Sequence, residues 1–141
     1  MSATGLDVFD TTIHKTNSWL NDLMTILDWQ DRHRAYLAMR TTLHALRDRL
    51  IVDEVAQLAA QLPMLIRGFY YEEWDPSDKP LRDRHREQFL AVIEQPFRGD
   101  DRINAEEVAR AVFAVLARRV TEGEIEDVKQ LLPAHIRDLW P

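Results

Sequence analysis

The sequence predicts an all-α protein, a compact bundle of about eight helices built as two tandem repeats of about 70 residues. Three observations carry this. Apolar residues recur at steps of three and four along the whole chain, and no strand-like alternation of any length interrupts them. Only 4 glycines and 6 prolines occur in 141 residues, which argues against a loop-rich or all-β design. Finally, residues 1–70 and 71–140 align without a gap, and Asp31/Asp101, Arg32/Arg102, Ala35/Ala105, Leu46/Leu116, Leu62/Leu132, Pro63/Pro133 and Ile66/Ile136 are identical pairs. A chain of this length fits a single domain, residues 1–141.

Taken in order, the first stripe is Phe9, Ile13, Thr16, Leu20, Leu23 and Leu27, one long helix with an apolar face. Tyr36, Met39, Leu43, Leu46 and Leu50 mark a second long helix, and Val55, Leu58, Ala59 and Leu62 a short third. Pro63 then opens a shorter segment, Met64 to Phe69, because a proline suits a helix start where its missing N–H is not needed. Gly68 reads as the stop. The second unit repeats the series with stripes at 89–97, 108–120, 125–132 and 136–140. Asn104 with Glu107, and Thr121 with Glu124, have the spacing of capping boxes. Between the units, Tyr71-Glu-Glu-Trp-Asp-Pro-Ser-Asp-Lys-Pro80 has the composition of a connector, but its aromatic residues need somewhere to pack.

Composition bounds the function. With 45% hydrophobic and 30% charged residues the chain is an ordinary globular protein. A net charge of −6 weighs against duplex nucleic acid as a partner, since that affinity comes from clustered Lys and Arg. The small basic island Arg82–Arg86 reads as a solvated helix start. With no cysteine there are no disulfides, thiolate nucleophiles or Cys-based zinc sites. No apolar run suffices to span a membrane, and the first residues lack the basic and apolar regions of a secretory signal. A cytoplasmic protein is the expectation.

Four stretches are distinctive: Thr12-Ile-His-Lys-Thr-Asn-Ser-Trp-Leu20, His33-Arg-Ala-Tyr36, Ala60-Gln-Leu-Pro-Met-Leu-Ile-Arg-Gly-Phe-Tyr-Tyr71 with the following Trp74-Asp-Pro-Ser77, and Gly123-Glu-Ile-Glu-Asp-Val128. In these, and along its whole length, the chain closely resembles the domain-of-unknown-function 2267 family of small bacterial proteins. The resemblance implies a bacterial, soluble, helical protein. It carries no catalytic or binding residue across.

Candidate functional residues therefore come from the sequence itself. Phe69, Tyr70, Tyr71 and Trp74 cluster around the connector beside Arg67, and amphipathic rings of this kind mark binding surfaces; Phe69 and Tyr70, whose repeat partners are Leu139 and Trp140, are expected in the core, while Tyr71 and Trp74 suit either role. Asp-Arg-His-Arg occurs twice, at Asp31–Arg34 and Asp83–Arg86, so His33 and His85 are candidate bases or anion contacts; helix-start charge patterning is the favoured explanation. Arg40/Arg110, Arg49/Arg119, Glu54/Glu124 and Arg67/Arg137 are charged residues shared by both units, and structural ion pairs at the helix junctions are the expected role. The histidines lack metal-ligand spacing, and no phosphate loop or nucleophile elbow occurs. The sequence thus predicts no catalytic residue, metal or cofactor. A non-enzymatic interaction or scaffold protein, binding another protein or itself, is the leading expectation. The alternative is a binder of an anionic metabolite, held by arginines in a pocket between the units.

Overall fold

The computed structural model describes residues 3–141. Regular structure among them is entirely helical: α1 (Asp7–Leu27), α2 (Arg32–Arg47), α3 (Val52–Ala60), α4 (Met64–Tyr71), α5 (Arg86–Glu94), α6 (Ala105–Arg119), α7 (Glu122–Leu131) and α8 (Ala134–Arg137). A 3-10 turn over Gln95–Phe97 continues α5. No helix among the described residues is long and apolar enough to cross a membrane.

Local chemistry sets most of the boundaries. The Asp31 carboxylate accepts from the backbone N–H of His33 at 3.0 Å and of Arg34 at 3.3 Å, which starts α2. Asn104 does the same for α6 through Glu107 N–H at 3.2 Å. The expected box at Thr121 does not form: its side chain makes no cap bond, and Glu124 is buried instead. Gly68 is no stop either, because α4 runs through it to Tyr71. The largest departure is α5, which has 9 residues where α1 has 21. Pro76 and Pro80 keep the chain out of the helix before it, and Pro96 tightens its end into the 3-10 turn.

Helices α1, α2, α5 and α6 close into a ring in which each packs on the next, and α2 and α6 also touch across the middle. Helix α4 lies on α1 and α2, α8 on α5, and α3 meets α7 at one end of the bundle. From Thr41 to Arg47 every residue of α2 is buried, the mark of a helix surrounded on all sides. One continuous core takes side chains from both halves, among them Leu23, Met39, Leu43, Tyr70, Phe89, Ile93 and Phe113. Each contributes roughly 1.5–3 kcal/mol by leaving water. The Phe113 and Trp140 rings stack at 4.2 Å.

The connector is fastened down. Leu81 N–H donates to Asp48 carbonyl oxygen at 2.7 Å, just past the end of α2. Beside it Arg49 grips the Asp83 carboxylate through two nitrogens, the longer bond 3.2 Å, with both side chains nearly out of solvent. The same guanidinium lies over the Phe89 ring at 5.3 Å.

Candidate functional site

The periodicity of α1 defines one apolar stripe, but the bundle covers only part of it. Trp19, Leu20 and Leu23 are buried, whereas Phe9 is 46% and Ile13 37% exposed. Leu6 and Val8 just before them are also exposed, as are Met64 and Leu65 in the first turn of α4. The two helices pack together, so Phe9, Ile13, Met64 and Leu65 line one shallow apolar groove with Thr12 and Gly68. Gly68 leaves its floor open, since a Cβ placed there would meet nothing within 4 Å. A groove of this kind continues past Thr16, Leu20 and Phe69 toward Tyr36.

A second, larger groove of about 820 Å3 adjoins the first and shares Thr12 and Met64 with it. Its wall brings together Lys15 on α1, Arg67 on α4 and Arg119 at the end of α6, beside the Trp19 ring, with Asp7 as the one acid. The arginines are oriented by bonds already made. Arg67 donates from Nε to Ala59 carbonyl oxygen at 2.8 Å and from Nη2 to Leu62 at 2.9 Å. Arg119 donates from Nε to Asp22 at 2.8 Å and from Nη2 to the Ser18 hydroxyl at 2.7 Å. Among the described residues, Nη1 of each makes no hydrogen bond.

The aromatic cluster divides between core and surface. Tyr70 is fully buried, its hydroxyl donating to Val55 carbonyl oxygen at 2.9 Å, and Phe69 meets Tyr36 edge-on at 5.3 Å. Tyr71 and Trp74, 5.7 Å apart between rings, are half-buried against the same core. They present less free surface than the α1–α4 face. His33 and His85 are both exposed at helix starts: His33 lies 6.1 Å from the Tyr36 ring, and His85 N–H donates to Gln88 at 3.0 Å. No contact among the described residues joins the two histidines.

The shared charges do not behave as one set. Arg49 pairs with Asp83 and Arg119 with Asp22, while Arg40 reaches Glu72 and Glu73 across 3.9 and 3.6 Å and Arg110 pairs with Glu106 one turn away. Arg67 and Arg137 depart from the expected ion pairs. Arg137 donates to Lys129 carbonyl oxygen at 3.0 Å and Leu132 at 2.6 Å, the counterparts of the Arg67 bonds. Both arginines thus add side-chain donors to the carbonyls where α3 and α7 end. Glu54 and Glu124 are a second departure: they face each other and Asp127, with no arginine, and an oxygen of each lies within 4.8 Å of the others.

Compared with known families, residues 16–139 match a family model described as an uncharacterized conserved protein, DUF2267. The chain belongs to the DUF2267 family. No curated protein matches it. In this DUF2267 chain the matched region includes Thr16, Trp19, Arg67, Arg119 and the three carboxylates, whereas Phe9 and Ile13 precede it.

Two buried polar residues of α2 escape the sequence reading. Arg47 is 2% exposed and donates through Nη1 to Tyr70 and Glu72 carbonyl oxygens at 2.5 and 2.8 Å, holding the end of α4. His44 Nε2–H donates to Phe69 carbonyl oxygen at 2.6 Å. Burial, opposed by that bond, holds its imidazole below the usual histidine range and therefore neutral. In sequence, both occupy ordinary positions of an amphipathic helix. Only the burial of α2 on every side distinguishes them.

Proposed function

We propose that this DUF2267 chain is a cytoplasmic, non-enzymatic helical module that docks an acidic amphipathic segment of another protein. The carrying observation is the groove between α1 and α4, whose apolar side chains Phe9, Ile13, Met64 and Leu65 remain uncovered beside a basic wall. Contiguous apolar surface rimmed by polar groups is characteristic of protein interaction sites. An amphipathic helix would place its apolar face in the groove and its carboxylates over Lys15, Arg67 and Arg119. Charge complementarity of this sort favours an acidic partner, although the chain as a whole carries −6.

Crosslinking in the host cell, read by mass spectrometry, should place partner peptides against α1 and α4. The double change Phe9→Asp with Leu65→Asp should remove those crosslinks and leave the circular dichroism unchanged. Crosslinks that persist in the variant, or that map to another face, refute the reading. If the crosslinked peptides come from a second copy of this chain, the module is a homodimer.

A second reading has its own support. Arg67, Arg119 and Lys15 line one groove, a set of residues that would hold a small phosphate or carboxylate. Native mass spectrometry of gently purified protein tests it, because a bound anion lost in Arg119→Ala would favour the metabolite over the helix.

A further inference from the structure

Where α3 meets α7, the structure leaves two buried carboxylates without a donor. Glu54 is 4% and Glu124 8% exposed, and the Oε1 atom of each is fully buried with no hydrogen-bond partner. Burying an acceptor in this way costs free energy unless something else fills the position. Asp127, one turn after Glu124 and exposed, completes the group, with one oxygen from each residue within 4.8 Å of the others. The charges that act on Glu54 are those of Glu124 and Asp127, both negative. Glu54 and Glu124 each occupy the first turn of a helix, so both carboxylates are mounted on rigid backbone.

We propose that Glu54, Glu124 and Asp127 form a site for a hard divalent cation, of the Ca2+, Mg2+ or Mn2+ class, that ties α3 to α7. Three carboxylates and no nitrogen or sulfur ligand are the donor set such ions prefer. At that 4.8 Å limit three oxygens lie about 2.8 Å from a common centre, so a shift of a few tenths of an ångström brings them to the roughly 2.3–2.6 Å of a Ca2+–oxygen bond. Asp127 faces solvent and supplies the way in. Tyr70 also lies near the pair, and its hydroxyl is committed to Val55. The cation would give the two buried carboxylates a partner and cancel the mutual repulsion of the three acids. It would also displace the proton that Glu54 otherwise keeps, because burial beside two other acids pushes that carboxyl up to about 8. This site is independent of the α1–α4 groove.

The test uses the full chain stripped with EDTA, with thermal unfolding followed at pH 7.5 in CaCl2, MgCl2 or MnCl2 against NaCl of equal ionic strength. At least one divalent salt should raise the melting temperature, with a smaller shift at pH 5.5 where protons compete. Asp127→Asn, an exposed change that leaves the core intact, should weaken the shift, and Glu54→Gln with Glu124→Gln should abolish it. Tb3+ should give luminescence on aromatic excitation in the parent chain and lose it in both variants. Equal shifts in parent and variants would mean nonspecific screening and overturn the site. No shift with any of the three salts, together with a glutamine pair that is more stable in EDTA, would leave two carboxyls sharing a proton and no ion.

Discussion

The corner where α3 turns into α4 and the corner where α7 turns into α8 are built alike, while the helices that lead into them are not. At each corner an arginine, Arg67 or Arg137, reaches back to two carbonyls at the end of the preceding helix. At each a proline, Pro63 or Pro133, precedes the next helix. Upstream, however, α1 has 21 residues and α5 only 9. The extra turns of α1 carry Phe9 and Ile13, and these are what the bundle leaves uncovered. The two corners close helix ends in the same way, and the extra turns of α1 offer a surface beside α4. A second contrast lies next to the corners: Tyr70 finds an acceptor in Val55, whereas the indole N–H of Trp140 has none among the described residues.

The sharpest test of that contrast lies within α1 itself. Leu23→Ala, at a fully buried position, should cost about 2–5 kcal/mol in urea unfolding. A smaller loss would mean that the covered end of the stripe is as free as the uncovered end.

Next in size is a pH effect from the α3–α7 junction. Glu54 has an unfolded value of 4.5 and is raised to about 8 in the folded chain. The native state therefore holds the extra proton in this window, and stability in EDTA should fall as pH rises from 4.5 to 8, by on the order of a few kcal/mol. Glu54→Gln should flatten that slope. His44 acts with the opposite sign. Its value is lowered on folding, so the unfolded chain binds the proton first and stability should decline as pH drops below 6.5. His44→Gln should remove that acid-side decline.

The corners themselves should respond equally. Arg67→Ala and Arg137→Ala are each expected to cost about 1 kcal/mol, since each removes two side-chain hydrogen bonds to carbonyls at matching positions. A large difference between them would break the equivalence of the two corners. Tyr70→Phe should cost about 1 kcal/mol as well, by removing its buried hydrogen bond to the Val55 carbonyl oxygen. The smallest effect belongs to Phe9→Ser, expected within about 0.5 kcal/mol of the parent, while it removes whatever binds the groove.

The helices are legible in the sequence because their apolar steps repeat at a helical period, and the turn residues Asp31 and Asn104 announce their starts. Periodicity finds an apolar face, yet says nothing about what covers it. Phe9 and Leu23 look the same in one stripe and end in different surroundings. Charges are harder to read. An arginine beyond a helix end can meet a carboxylate or a bare carbonyl, and the spacing of Arg67 and Arg137 from their partners is the same either way. The Glu54–Glu124 contact joins residues far apart in sequence, so nothing local announces that two acids will meet without a base. Identity of both at equivalent positions is the available signal, and it suggests an ion pair as readily as a carboxyl pair.

The bonds that fasten residues 81–83 to the end of α2 have a consequence for the chain's continuity. Leu81 on Asp48 and Asp83 on Arg49 hold the downstream side of the connector, and the Tyr71–Trp74 contact holds the upstream side. Exposed Pro76 to Asp78 lie between these anchors. A protease that nicks the chain there would thus release no fragment, and the two pieces would stay assembled until denaturant was added. New termini opened at this loop should be tolerated for the same reason. Exchange of halves between two molecules, which needs a hinge that swings free, is disfavoured by the same anchors.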